Sequence, residues 1–171
     1  MAHPILERVE RELPPLGYVT QPVAGPAGQP AQLLVHTTAD EPGEERWLLL
    51  TVFEEVEDDL EGAYLVQIFC ALRTAAPARE RRGELSRFIV AVNNKLSVGQ
   101  FCFREEDAIL YFRTVAMLPD APETWTRLLD AHLTFAIFQV VVFGPSIEAV
   151  ADGRQTAHEA AAANQFTGPL A

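Results

Sequence analysis

The sequence is poor in cysteine and in basic residues. Its 171 residues include two cysteines, and 13 Lys and Arg stand against 24 Asp and Glu, a formal net charge of −11. Cys70 and Cys102 lie in separate apolar segments, which is more typical of small core residues than of a disulfide or a metal pair. The acidic excess argues against nucleic acid as the main partner, because phosphate binding needs a basic surface.

Targeting and membrane-spanning signals are also lacking. The first eight residues show no basic region followed by an apolar run, so no signal peptide is expected. The longest apolar stretch, Leu133 to Phe143, is too short to cross a bilayer and is interrupted by Gln139. We therefore expect a soluble cytoplasmic protein that has no membrane partner.

Length and composition favour a single globular domain. The chain is 49% hydrophobic and 22% charged, and 171 residues suffice to bury a core without disulfides or a metal. The predicted divisions are an N-terminal helix and short strand (1–20), a Pro/Gly-rich loop (21–31), a core (32–150), and a C-terminal helix and tail (155–171).

Five clear apolar segments predict strands, three stretches with apolar residues every three or four positions predict helices, and an alanine-rich stretch predicts a fourth helix. The strands are Gln32 to Thr37, Trp47 to Phe53, Ala63 to Leu72, a segment with Phe101 and Phe103, and Ile109 to Val115, with a possible short strand from Leu16 to Val19. The helices are Ala78 to Leu96, Glu123 to Phe143 and Gln155 to Ala163, after a first helix from His3 to Leu13. This order predicts an α+β fold in which an antiparallel sheet of about five strands is covered by helices.

The long helix is apolar on more than one face. Phe135, Phe138 and Val142 follow one line of the helix, while Ala136, Val140 and Phe143 follow another. Both lines cannot easily face one sheet, so either a second chain or the C-terminal helix covers the second face. The candidate dimer or partner surface consists of Phe135, Phe138, Val142 and Phe143. Gly144 and Pro145 are expected to end this helix, with Ser146 capping a short turn.

No residue pattern points to catalysis. The four histidines lack metal-ligand spacing and no nucleophile motif is present, so neither catalytic residues nor cofactors nor metal sites are predicted. An alternative is a small-ligand sensor or enzyme with a pocket near His132. Its other polar groups would be Tyr64, Tyr111 and Gln139.

Charge is unevenly distributed. Residues 40–61 contain ten acidic residues and one basic residue, Arg46, which predicts solvated hairpin tips or, alternatively, a docking surface for a basic partner. A small basic group, Arg79, Arg81, Arg82 and Arg87, lacks the interleaved aromatic residues typical of nucleic-acid binding.

One stretch carries a family resemblance. The helix residues 88–96 (FIVAVNNKL) lead into 97–103 (SVGQFCF), an acidic turn and 109–113 (ILYFR). This pattern resembles the YbjN group of bacterial proteins, described as sensory transduction regulators and similar in fold to type III secretion chaperones. The resemblance implies an α+β fold, a homodimer, and binding of protein segments.

These observations together predict a non-enzymatic, chaperone-like or regulatory module of bacterial type. It would act as a cytoplasmic homodimer and bind another protein or peptide through an apolar groove or a sheet edge. Besides the sensor or enzyme near His132, a domain whose only task is oligomerisation stays open.

Overall fold

The computed structural model describes residues 4–23, 30, 32–37, 45–53, 62–72, 77–119 and 121–165. Within these residues the helices are α1 (Pro4–Glu12), α2 (Arg82–Asn93), α3 (Pro122–Ala151) and α4 (Ala157–Ala163), with short 3-10 helices at Pro14–Leu16 and Arg79–Arg81. The strands are β1 (Tyr18–Val23), β2 (Gln32–Thr37), β3 (Leu48–Val52), β4 (Ala63–Ala71), β5 (Gln100–Arg104) and β6 (Ile109–Pro119).

The strands form one antiparallel sheet in the order β1-β2-β3-β4-β6-β5. The α+β class is confirmed, with six strands where about five were predicted. The additional strand is β1, which begins two residues later than the short piece expected from Leu16 and includes Pro22. Proline is tolerated here because β1 is an edge strand, where a backbone N–H can be missing without breaking a central ladder. The predicted loop at 21–31 therefore begins too early.

Two compact units make up the chain, and the first consists of Met1–Cys70 and Thr114–Phe135. In this unit β1 to β4 follow one another in the sheet, and each strand pairs antiparallel with the next. Leu33 on β2 lies opposite Leu50 on β3, which lies opposite Ile68 on β4, and all three side chains are buried. Alternation along each strand places these residues on one face, which forms the core. The acidic connectors fall almost entirely on 38–44 and 54–61, outside the described residues.

The second unit consists of Ala71–Arg113 and Ala136–Ala171. Here α2 packs on β5, and the ring of Phe101 meets that of Phe112 edge-on at a centroid distance of 5.1 Å. Helix α4 packs on α2 with three buried alanines, Ala157, Ala160 and Ala161. The carboxylate of Glu84 on α2 accepts a 2.9 Å hydrogen bond from the backbone N–H of Ala157. This N–H belongs to the first turn of α4 and has no partner within the helix.

Helix α3 is longer than the sequence predicts. It continues through Gly144 and Pro145 to Ala151, so the predicted helix end was wrong, as was the role of Ser146 as an N-cap. Pro145 removes one backbone hydrogen bond and costs roughly 3 kcal/mol in a helix interior. Beyond it, Ile147 and Val150 are buried, and each contributes about 1.5–3 kcal/mol, enough to offset the proline.

The length of α3 affects the prediction that its apolar stretch is too short to cross a bilayer. Thr124–Ala151 is long and apolar enough to cross a bilayer by length and composition, and half of its most apolar window is buried inside the protein. The expectation that this stretch is too short assumed a helix ending at Phe143. With the longer helix, the length argument no longer applies, and half burial fits the core helix of a soluble protein.

Candidate functional site

The outer face of α3 carries a row of exposed apolar side chains, which we term the α3 stripe: Phe135, Phe138, Val141 and Val142. Their exposed fractions are 52%, 57%, 54% and 40%, respectively. These values hold with α4 in place, so α4 does not cover the stripe. Three of the four residues predicted from the sequence, Phe135, Phe138 and Val142, lie in the stripe. The fourth, Phe143, is only partly exposed and is not part of it.

The opposite face of α3 explains why the stripe points outward. Leu129, Leu133, Ala136 and Val140 recur every three or four residues and are fully or almost fully buried. A helix that buries this line presents the residues between its members to the other side. Val141 was missed by the sequence reasoning because a run of three valines does not show which one faces outward.

The stripe lies in a segment without formal charge. Between Asp130 and Glu148 the sequence contains no Asp, Glu, Lys or Arg, although the chain as a whole carries −11. The exposed Arg127 also belongs to α3, but it precedes the uncharged segment. An uncharged apolar face on a strongly acidic protein is suited to contact with another protein surface.

The earlier part of α3 is held by polar contacts within the first unit. The hydroxyl of Tyr18 donates to Asp130 Oδ1 at 2.8 Å and lies 3.4 Å from Thr134 Oγ1. Burial of the phenol raises the pKa of Tyr18 to about 12, with the nearby Asp130 adding to the rise. Tyr18 is therefore a neutral donor at neutral pH.

A second contact joins α1 to the same part of α3. The hydroxyl of Thr126 donates to the carboxylate of Glu12 and lowers the pKa of that carboxyl, against a smaller opposing effect of burial. Arg8 bonds the same carboxylate at 2.6 Å, and its guanidinium lies 4.7 Å from the ring centroid of Trp125. Because these groups bind one another, they hold α1 against the first part of α3 and do not form a site open to a ligand.

The residues proposed for a ligand pocket lie on three elements: Tyr64 on β4, Tyr111 on β6, and His132 and Gln139 on α3. His132 is partly exposed and makes no hydrogen bond or ion pair with the described residues. Tyr111 lies opposite Cys102 in the β5–β6 pair, and burial, followed by the neighbouring Cys102, raises its pKa. Gln139 is buried. Among the residues described, no group of three His, Cys, Asp or Glu side chains is arranged to hold a metal ion.

The outer edge of β5 carries a contact that sequence reasoning did not predict. Asn93, at the end of α2, donates from Nδ2 to the carbonyl of Phe101 at 2.9 Å, and its Oδ1 accepts from the N–H of Phe101 at 2.8 Å. The only signal in the sequence was an asparagine at a helix end, eight residues before an apolar strand. At the other end of α2, the guanidinium of Arg82 lies 5.6 Å from the ring centroid of Phe103.

Comparison with protein-family models, with curated proteins and with solved structures finds no match for this chain. The resemblance to the YbjN group therefore stays a prediction.

Proposed function

We propose that this protein is a non-enzymatic binding module that acts as a homodimer through the α3 stripe and binds a further protein or peptide. The single observation that carries the proposal is the stripe itself. Four apolar side chains, each at least 40% exposed, lie on one face of a helix whose other face is core. An exposed apolar patch of roughly 300–600 Å² is often a functional surface in a soluble protein.

A second copy of the chain is the occupant that the charges favour. Two molecules of net charge −11 repel each other wherever their carboxylates meet. The uncharged segment between Asp130 and Glu148 is a place where two copies can approach without that repulsion. A two-fold axis lets the same stripe cover itself, which requires no second complementary surface.

The size of the stripe limits the strength of such a dimer. Phe and Val side chains that are about half exposed offer roughly 350–400 Å² of apolar surface per chain, given about 150–250 Å² for each aromatic residue. A stable interface buries about 800 Å² per partner. The stripe thus supplies about half of a standard interface, and we expect a dimer that dissociates on dilution.

The cytoplasmic location, the bacterial type and the chaperone-like or regulatory role belong to this proposal as well. They are supported by the residues shared with the YbjN group, from Phe88 to Arg113, and by the antiparallel α+β fold. No specific observation favours the sensor or enzyme near His132.

The test compares two substitutions that place the same charge on surfaces of similar exposure. Phe138→Glu puts a carboxylate in the stripe, whereas Val90→Glu puts one on α2, where Val90 is 52% exposed. Light scattering on concentrated samples should give a monomer for Phe138→Glu and a dimer for Val90→Glu. Thermal unfolding of both variants should match that of the wild type in dilute samples, where the dimer has dissociated. A dimer that survives Phe138→Glu in a folded protein would contradict the proposal.

A further inference from the structure

The contact between Asn93 and Phe101 shows that the outer edge of β5 pairs with an amide. Both backbone groups of Phe101 point away from β6, since both are bonded to the side chain of Asn93. The side-chain amide offers one donor and one acceptor, as a peptide group does, and so occupies the place of one residue of a neighbouring strand. This occupation closes the edge at Phe101 against strand pairing.

The edge is open two residues further along. Backbone groups alternate in direction along a strand, so the N–H and C=O of Phe103 point to the same side as those of Phe101. Strand β5 is the last strand of the sheet, and within the described residues no strand pairs with its outer side. Phe103 therefore presents a donor and an acceptor to an extended segment.

A cation without a carboxylate partner lies beside this open position. The Nε atom of Arg82 is buried and makes no hydrogen bond with any described residue, and its guanidinium faces the ring of Phe103. The described structure contains no ion pair for Arg82, although acidic residues outnumber basic ones by 24 to 13 in the chain. A guanidinium without an acceptor is costly, and because Arg82 as a whole is partly exposed, an added carboxylate can give it a strong, charge-assisted bond.

We propose that the outer edge of β5 binds an extended segment of another protein that bears a carboxylate, with the segment pairing to Phe103 and the carboxylate binding Arg82. This proposal rests on the proposed function, because it names the chemistry of the partner of a binding module. Asn93 blocks the edge at Phe101, so the paired part of the segment spans about three residues. Two backbone bonds and one ionic contact make the affinity low and sensitive to salt.

The test uses the full-length, ¹⁵N-labelled protein and a capped pentapeptide, Thr-Val-Glu-Val-Thr, with the same peptide bearing Lys at its centre as the control. The glutamate peptide should shift the backbone amide signal of Phe103 and the side-chain Nε–Hε signal of Arg82. We expect the lysine peptide to bind at least fivefold more weakly. High salt should weaken binding of the glutamate peptide to about the affinity of the lysine peptide.

Arg82→Gln should weaken binding of the glutamate peptide at least fivefold, while Arg87→Gln, which removes an exposed arginine from the same helix, should change it less than twofold. Arg82→Lys keeps the charge and serves if the glutamine variant does not fold. Equal binding of both peptides, shifts that leave Phe103 unchanged, or a folded Arg82→Gln variant that binds with the full affinity would overturn the proposal. For Arg82→Lys, which keeps the charge, binding that does not depend on salt would overturn it.

Two further outcomes separate this proposal from the dimer through the α3 stripe. If Phe138→Glu is monomeric and still binds the peptide at Phe103, the edge acts independently of the stripe. If the Phe103 amide is protected from exchange in the concentrated free protein and loses that protection on dilution, a second copy occupies the edge, which overturns the proposal of a separate acidic segment.

Discussion

The hydroxyl of Tyr18 on β1 donates a 2.8 Å hydrogen bond to Oδ1 of Asp130 on α3, which lies 112 residues further along the chain. Tyr18 is buried and Asp130 is partly exposed. The bond therefore anchors the first part of α3 to β1, within the first compact unit.

Removing this hydroxyl should destabilise the protein. We expect Tyr18→Phe to lower the free energy of unfolding by about 1.5–2 kcal/mol, the lower part of the range for a bond to a charged group, because water can reach Asp130. Urea unfolding of Tyr18→Phe, Asp130→Ala and the double variant measures the coupling. Additive effects of the two substitutions would show that the bond does not contribute.

The raised pKa of Tyr18, about 12 against an ordinary value of 10, predicts a loss of stability at high pH. The folded protein holds the phenolic proton more tightly than the unfolded chain, so the contribution is complete below pH 10 and is lost as the pH rises through 12. A shift of two units corresponds to about 2–3 kcal/mol.

The pH effect is measured as the difference between the wild type and Tyr18→Phe, because Tyr111 also has a raised pKa. Unfolding free energies of both proteins should be recorded between pH 9 and 12. The gap between them should shrink as Tyr18 ionises. A gap that stays constant over this range would mean that Tyr18 ionises alike in both states.

The pairing of Asn93 with Phe101 predicts a strong contrast between neighbouring asparagines. Asn93→Ala removes two hydrogen bonds and should cost about 1–3 kcal/mol, whereas Asn94→Ala, at an exposed position, should stay within about 0.5 kcal/mol. Asn93→Asp keeps the acceptor for the N–H of Phe101 but loses the donor to its carbonyl, so it should not restore full stability. Similar urea midpoints for all three variants would contradict this role.

Two glycines should respond to alanine in opposite directions. A Cβ on Gly99 would lie 2.4 Å from Cζ of Phe112, and the φ of +76° is strained for any other residue. We expect Gly99→Ala to cost at least about 2 kcal/mol. Gly83 in α2 has open space at the Cβ position, so Gly83→Ala should add about 0.5–1 kcal/mol to stability. Thermal unfolding of the two variants checks both signs, and a tolerated Gly99→Ala would show that the ring of Phe112 can move.

The strands and α2 were predictable because their apolar residues follow local periods of two and of three to four. Leu33, Leu50 and Ile68 alternate with less buried residues, and Leu85, Phe88 and Val92 recur at helical spacing. The end of α3 was not predictable in this way. Pro145 is a local stop signal, and it is overridden by burial of Ile147 and Val150 against distant parts of the chain.

The contacts that hold the first part of α3 were likewise hidden in the sequence. Tyr18 and Asp130, or Glu12 and Thr126, are separated by more than 110 residues, and no local pattern pairs them. Phe135, Phe138 and Val142 were predicted as a surface from their helical spacing, which shows that they share a face. Their spacing cannot show which chain, if any, covers that face.

The central claim, that a second copy covers the α3 stripe, is tested most directly by the solution mass of the wild-type protein over a dilution series. Light scattering should give twice 18.9 kDa at high concentration and should fall toward 18.9 kDa on dilution. A mass of 18.9 kDa at the highest concentration reached would contradict the account.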